Sequence, residues 1–270
     1  MTNDIKIAFI GGGNMAQAML SAILDKGLST PETVSVSDIN EARRKYLEQE
    51  YGVYVTGSNL EAFTRGDLVV LAIKPQNLAG VMAEISGRLN SPQLVLSIIA
   101  GKSIETLCQG LKYKAIVRAM PNAPAQIGQG MTVWTATAAV TEPQKAQAGS
   151  ILGAMGKEIY VADERYIDMA TAISGSGPAY VFLFIESLVN AAKSIGLPPD
   201  MAQELVIQTV VGSGNFVRKS GRELSELRRM VTSPGGTTAK AVEVFERGQF
   251  AELVKQAIAA AHNRAKELGG

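Results

Sequence analysis

Two glycine-rich stretches stand directly ahead of helical patterns in this 270-residue chain: "GGGNMA" at Gly11–Ala16 and "SPGGTT" at Ser233–Thr238. A helix start carries N–H groups without intrahelical partners at the positive end of the backbone dipole, and glycine lets a ligand approach both. Each stretch therefore reads as a place for a negatively charged group. The first follows a β-like run, "IKIAFI", and precedes a second β-like run that ends in Asp38. In that setting Gly11-x-Gly13-x-x-Ala16 fits the dinucleotide fingerprint. Gly11 permits the turn, Gly13 clears the backbone for a pyrophosphate, Asn14 and Met15 supply N–H groups, and Ala16 keeps the helix close to the sheet.

Other polar residues gather where strands end. Asp38 stands where a carboxylate accepts the adenosine ribose 2′-hydroxyl, which points to NAD. Ser37, Asn40, Arg43 and Arg44 offer a hydroxyl, an amide and two guanidinium groups for a 2′-phosphate, which points to NADP; they also suit an ordinary solvated helix start. The residues alone leave both cofactors open. Asn59 follows the next strand, within reach of the ribose. "AIKPQN" places Ala72, Lys74 and Pro75 at the carboxyl end of a central strand, the edge where open α/β sheets bind ligands. "RAMPNAP" places Asn122 at the end of another, with two prolines as a rigid wall for nicotinamide and substrate. In "SGSGPAY" (Ser174–Tyr180), Pro178 suits a first helical turn, while Gly175 and Gly177 predict close backbone approach to a ligand or a partner helix.

The acid–base inventory is thin. The single histidine, His262, falls on the last helical stretch and reads as a surface or packing residue. There is no Cys/His cluster for zinc and no G-x-S-x-G elbow, so no metal is expected. The polar candidates are Lys74, Ser176 and the two threonines of "SPGGTT". Such a set fits a substrate that accepts hydride readily, such as an iminium, better than an alcohol that needs a base.

The elements that must position these residues fall into two halves. Up to Asp163, short apolar runs alternate with amphipathic helical stretches: "TVSVSD", "VYVT", Leu68–Ile73, Leu94–Ile99 and Lys114–Met120, then "MTVWTA" and "EIYV" around a helix at Pro143–Ala154. That order predicts an α/β fold with an N-terminal Rossmann-type doubly wound sheet over residues 1–163. Residues 164–270 read as an all-α domain for dimerisation and substrate, with helices over Ile167–Ser174, Pro178–Ile195, Pro199–Lys219, Leu224–Met230, Thr238–Arg247 and Ala251–Leu268. The stretch Pro178–Ala192 is apolar on more than one face and calls for cover by a second copy of the chain.

Composition excludes several classes of function. Lys and Arg number 26 against 25 Asp and Glu, so bulk charge drives binding to neither nucleic acid nor a membrane surface. The one cysteine, Cys108, can form no intramolecular disulfide and reads as a small core residue. The N-terminal stretch lacks a signal-peptide pattern, and the apolar run Ala179–Ile185 stops at Glu186, short of a membrane span. A cytoplasmic protein without a membrane partner is expected.

Taken in chain order, "GGGNMA", "AIKPQ", "RAMPNAP", "SGSGPAY" and above all "VTSPGGTTAKAVEVFE" resemble the motif set of Δ1-pyrroline-5-carboxylate reductase. The resemblance spans nearly the whole chain; its last motif is the specific one. It implies hydride transfer from NAD(P)H to a cyclic imine, the final step of proline synthesis. It also implies a homodimer through the C-terminal helices, with a ring of such dimers left open. It marks Thr238 as the hydroxyl beside the imine nitrogen. Ser233, Pro234, Gly235, Gly236, Thr237 and Ser176 become the substrate contacts, with the substrate carboxylate on the N–H groups of the turn, and Thr237 the natural N-cap of the next helix. For the cofactor, the arginine pair favours NADPH, with NADH usable, and leaves Asp38 turned to solvent or capping its helix. Two positions depart from the family pattern: Ala16, where Gly is frequent, and Ala123, where a Thr is expected. Two other readings compete. A 3-hydroxyacid dehydrogenase or another imine reductase has the same layout, and Lys193 stands where such hydroxyacid enzymes carry a lysine. A non-catalytic NAD(P)-sensing module is the other.

Overall fold

The computed structural model describes residues 5–269. Its first compact unit covers residues up to Ser176, together with Ala261 onward. The strands are β1 (Ile7–Ile10), β2 (Val34–Ser37), β3 (Tyr54–Thr56), β4 (Leu68–Leu71), β5 (Leu94–Ser97), β6 (Ile116–Met120), β7 (Gly130–Ala136) and β8 (Gly156–Tyr160). They form one sheet in the order β3-β2-β1-β4-β5-β6-β7-β8. Every neighbouring pair is parallel except β6 and β7. That exception has a simple cause. The link from Met120 to Gly130 is a short 3₁₀ turn, and a parallel return needs a longer crossover.

The helices α1 (Asn14–Asp25), α2 (Glu41–Tyr51), α3 (Asn59–Phe63), α4 (Leu78–Ile85), α5 (Ile104–Leu111) and α6 (Glu142–Ala154) cover the sheet. β1, β2, β4 and β5 are buried throughout; β1, β4 and β5 accordingly read as apolar runs, while β2 alternates valine with buried serines. α1 turns Ala16, Met19, Leu20 and Ile23 onto the sheet. The strand order reverses between β1 and β4, so the crevice for a ligand opens at the carboxyl end of β1.

α7 (Arg165–Ala170) is tied to the sheet by one buried cation. Arg118 of β6 donates to Glu164 Oε1 at 2.6 Å and to Asp168 Oδ1 at 2.7 Å, and Glu164 also accepts from the Ile104 N–H. A buried cation with both carboxylates in hydrogen-bond range fixes orientation, whatever its net energy. After α7 the chain makes a π-helical turn at Thr171–Gly175 and runs on as α8 (Gly177–Ser194). No break separates them, although the glycines predict one. The continuous helix Arg165–Ser194 has a mean hydropathy of 1.4 over its apolar window, of which only 6% is buried. By length and composition it could cross a membrane. The apolar run itself ends at Glu186, as expected; it is the continuous helix around it that reaches spanning length.

The second unit, Gly177–Ala260, contains α8 packed on α9 (Pro199–Ser220), then α10 (Leu224–Met230), α11 (Thr237–Arg247) and the start of α12 (Phe250–Gly269). Phe250 lies beside Phe184 and Phe245, with centroids 6.4 and 5.5 Å away. Among its described residues, only Ala202 and Leu227 are buried hydrophobics. Phe182 is 60% exposed, Leu183 64% and Leu253 62%. Four helices and part of a fifth without an interior of their own are marginal in water and need cover.

Candidate active site

The glycine loop Gly11–Gly13 links β1 to α1. Gly11 has φ +98°, and a Cβ there would stand 2.7 Å from the Ala72 carbonyl oxygen, so two independent restraints require glycine. A Cβ on Gly12 would meet Leu47 at 2.7 Å, whereas one on Gly13 would meet no atom within 4 Å. The face at Gly13 is thus open. Gly13 is also the N-cap of α1, without a side-chain cap and without an acidic residue in the first turn. Among the described residues, no side chain accepts from the Asn14 or Met15 N–H groups. A pyrophosphate fits this cradle, and the four residues Gly11, Gly13, Asn14 and Met15 stand together at the strand-order reversal.

The carboxyl end of β2 is arranged differently from the expectation. Asp38 neither turns to solvent nor caps α2. Its Oδ2 accepts from the Gly12 N–H at 2.9 Å and its Oδ1 from the Asn40 N–H at 2.8 Å. The cap of α2 is Asn40, whose side chain accepts from the Arg43 N–H. Arg43 donates to the Gly12 carbonyl and to Gln17, and Arg44 donates to the Asp38 carbonyl at 2.7 Å. Arg43 thus flanks the glycine loop, and Arg44 lies at the end of β2 beside Gly57. Ser37 is fully buried and its hydroxyl donates to Asn59 Oδ1 at 2.8 Å. It orients Asn59 from below and presents no hydroxyl to the crevice. Asn59 also donates to Glu84.

Along the same sheet edge, Ala72 donates its N–H to Ile10 and lies beneath Gly11. Lys74 is exposed and starts the 3₁₀ turn Pro75–Asn77. Asn122, just past β6, accepts from the Met131 N–H at 2.8 Å and donates to the Ser174 carbonyl at 2.9 Å. Gly175 packs against β6, since a Cβ there would lie 3.1 Å from Met120 Cε; Gly177 has open space. Ser176 is half-buried, and its N–H closes the π turn on the Thr171 carbonyl.

Ser233–Thr238 belong to the other unit. The Gly236 N–H bonds the Ser233 carbonyl at 3.0 Å, Pro234 fills the second position, and Gly235 has φ +71°. Proline followed by a left-handed glycine is the signature of a type II turn. Thr237 is the first residue of α11, not its N-cap. Gly236 holds the cap position and offers no side chain to it. The reason is the turn, which closes on Gly236 and leaves Thr237 already helical. Ser233, Thr237 and Thr238 are exposed. The first turn of α11 carries no acid. Its N–H groups are as open to an anion as those of α1.

Groups outside these loops have structural places. His262 encloses its Nε2 on α12 without a partner, a packing position. Burial pushes the Cys108 thiol up, away from the reactive thiolate form. Among the described residues no three His, Cys, Asp or Glu side chains group as a metal site. A cavity of about 640 Å³ lies at the opposite, amino-terminal edge of the sheet, lined by Lys6, Glu32, Arg65, Asp67 and Arg88. It is no part of the glycine loops. Composition and spacing give no sign of the Arg118–Glu164–Asp168 cluster, whose partners are far apart in the chain.

Comparison with known proteins finds relatives over the full chain. Residues 164–268 match the family model "Pyrroline-5-carboxylate reductase dimerisation", and residues 6–101 match "NADP oxidoreductase coenzyme F420-dependent". The pyrroline-5-carboxylate reductase of Synechocystis is 41% identical, across 98% of this chain and 99% of its own. The pyrroline-5-carboxylate reductase structure from Coxiella burnetii superposes with a TM-score of 0.90 at 38% identity, over 99% of this chain and all of the other. That of Plasmodium falciparum pyrroline carboxylate reductase, solved with NADP bound, gives 0.91 at 32% identity over the whole of both chains.

The two glycines separate folding from binding. Gly13→Ala should fold with an unchanged Tm yet weaken NAD(P)H binding at least tenfold in a fluorescence titration, because the methyl enters the open cradle. Gly11→Ala should lower Tm itself, since both its φ and the Ala72 carbonyl oppose a side chain. Equal NAD(P)H affinity for Gly13→Ala and the parent would remove the loop as the pyrophosphate site.

Proposed function

The chain belongs to the pyrroline-5-carboxylate reductase family, and from that premise we propose which of its residues carry the reaction. The protein reduces the C=N bond of 1-pyrroline-5-carboxylate with hydride from NAD(P)H, giving L-proline in the last step of proline biosynthesis. The observation that carries the assignment of roles is the pair of glycine-headed, uncapped helices.

The bound dinucleotide supplies the hydride. Gly11, Gly13, Asn14 and Met15 hold its pyrophosphate on backbone N–H groups and the α1 dipole. Asn59, oriented by Ser37, takes the ribose, and Ala72, Lys74 and Pro75 form the adjoining wall. In the helical unit, the turn Ser233-Pro234-Gly235-Gly236 and the Thr237 N–H bind the substrate carboxylate through charge-assisted bonds. Ser176 is a further substrate contact. The Thr238 hydroxyl hydrogen-bonds the ring nitrogen, which gains the electron pair of the C=N bond as the carbon accepts hydride. No strong acid is required, because an iminium nitrogen already carries its proton. Hydroxyacid oxidation, by contrast, needs a base, and the glycine turn and its threonines offer none.

The cofactor preference we propose is NADPH, with NADH usable. Arg43 flanks the loop, Arg44 stands at the end of β2, and the inward-facing Asp38 carboxylate is already engaged by two N–H groups. The Plasmodium relative was solved with NADP. The cover for the helical unit we take to be a second copy of the chain, through α8 and its neighbours, at work in the cytoplasm. The domain division follows the change of architecture near Asp163, with residues 1–163 for the dinucleotide and 164–270 for pairing and substrate. A ring of such dimers would use the same apolar helices.

Three measurements test these assignments. Thr238→Ala should lower kcat by about 10²-fold or less, the low end for a positioned proton donor, with NADPH affinity unchanged. An unaltered kcat would take Thr238 out of the mechanism. The parent enzyme should favour NADPH over NADH in kcat/KM by about 1–3 kcal/mol, and the double variant Arg43→Ala/Arg44→Ala should lose that preference. An NADH-preferring parent indifferent to both substitutions would assign the ribose to Asp38. Phe182→Asp should convert the sedimenting dimer to monomer or aggregate, since Phe182 makes little use of its own chain for cover. A clean, active dimer would place the interface elsewhere.

A further inference from the structure

The π turn at Thr171–Gly175 has a cause in the sequence. In an α-helix the Ser174 carbonyl would accept from the N–H four residues on, which is Pro178. Proline has no N–H, and its ring crowds that carbonyl. The carbonyl is left over inside a half-buried turn, where an unpaired acceptor is costly. The Asn122 amide fills the gap, donating to it at 2.9 Å. Its other end accepts from the Met131 N–H at 2.8 Å, next to β6 and β7. One side chain thus ties the carboxyl end of the sheet to the helix at the point where the helix changes pitch. Gly175 closes the contact against Met120.

The change of pitch redirects the side chains beyond it. One extra residue in a turn rotates them by about 100° about the helix axis. The hydroxyls of Thr171 and Ser174 are bonded back to the Ile167 and Ala170 carbonyls. Ser176, the first residue after the turn, makes no such bond among the described residues. We propose that Asn122 is a positioning residue for the reduction. By replacing the N–H that Pro178 lacks, it locks the π turn and so sets where the Ser176 hydroxyl stands at the substrate edge of the sheet. It acts through Ser174 and Ser176, not by touching the cofactor. This rests on the reading of Ser176 as a substrate contact. Arg118 is the companion anchor one turn earlier, but it fixes α7 as a whole and not the turn.

Asn122→Asp separates the two ends of the amide. The carboxylate still accepts from Met131 but cannot donate to Ser174. The variant, Ser176→Ala and their double are compared by Tm, by NADPH affinity in a fluorescence titration, and by kcat and KM for pyrroline-5-carboxylate. For Asn122→Asp, the expected result is a folded protein, NADPH affinity within about twofold, and kcat/KM lower by roughly tenfold or more, within the ~10²-fold that an ångström-scale misplacement costs. The double variant should be no worse than the poorer single one, because both act through one hydroxyl. The proposal is overturned if NADPH affinity falls in step with kcat/KM, if the two losses multiply, if Asn122→Asp fails to fold, or if it is as active as the parent while Ser176→Ala is impaired. A neutral Ser176→Ala overturns instead the reading of Ser176 as a substrate contact.

Discussion

Unpaired N–H groups at two glycine-headed helix starts are the constraint that the rest of the chain serves. Four other helices close their first turns with their own side chains: Asn40 for α2, Ser58 for α3, Ser103 for α5 and Thr141 for α6. α1 and α11 have glycine instead. A capping hydroxyl or amide at either place would stabilise the free helix by a few tenths of a kcal/mol over glycine. It would also occupy the groups that an anion needs. Both starts therefore trade a little stability for an open donor set, one suited to a pyrophosphate and one to a carboxylate. The surroundings follow from this. Gly11 must sit on the Ala72 carbonyl so that Gly13 faces outward, and the Pro234–Gly235 turn must close on Gly236 so that α11 begins with its N–H groups free.

Much of this is legible in the sequence, for identifiable reasons. Central parallel strands are buried on both faces, so β1, β4 and β5 announce themselves as apolar runs. The helices of the second half read to within a residue or two at most ends because proline and glycine punctuate them. α10 is expected at Leu224–Met230 and stands there. The features that escape the sequence depend on partners distant in the chain. The Arg118–Glu164–Asp168 cluster joins residues 46 and 50 positions apart, and nothing in local spacing signals it. The role of Asp38 escapes for the same reason, since its acceptor task is set by Gly12, 26 positions earlier. The π turn differs from both. Its signal is present in the four-residue spacing from Ser174 to Pro178, but the glycines between them read as a break.

In the adenosine site proposed above, one carboxylate serves two demands. An aspartate at the end of β2 normally repels a 2′-phosphate. Here its charge is turned onto the glycine loop and onto the start of α2, where the two N–H groups hold both oxygens. The arginines stand outside it, bonded to backbone carbonyls of Gly12 and Asp38. These are neutral acceptors, and on the proposed reading each guanidinium retains donors for a phosphate. Loop geometry and phosphate tolerance then come from the same few residues, and a modest preference follows more naturally than an absolute one.

The helical unit depends on cover from outside itself. Its interior amounts to Ala202 and Leu227, while Phe182, Leu183 and Leu253 face outward. Short helices without a packed face have low intrinsic stability, and a turn between two of them inherits that weakness. The Ser233–Gly236 turn lies between α10 and α11, and Thr238 occupies the second position of α11. The contact proposed between the Thr238 hydroxyl and the ring nitrogen needs a fixed geometry, which fraying helices do not hold. On the proposed pairing, the second copy supplies the cover that makes α10 and α11 rigid, and with it the geometry of the carboxylate turn. On that reading association is part of building the substrate site itself, and the long, exposed apolar helix α8 shares one small unit with the glycine turn for that reason.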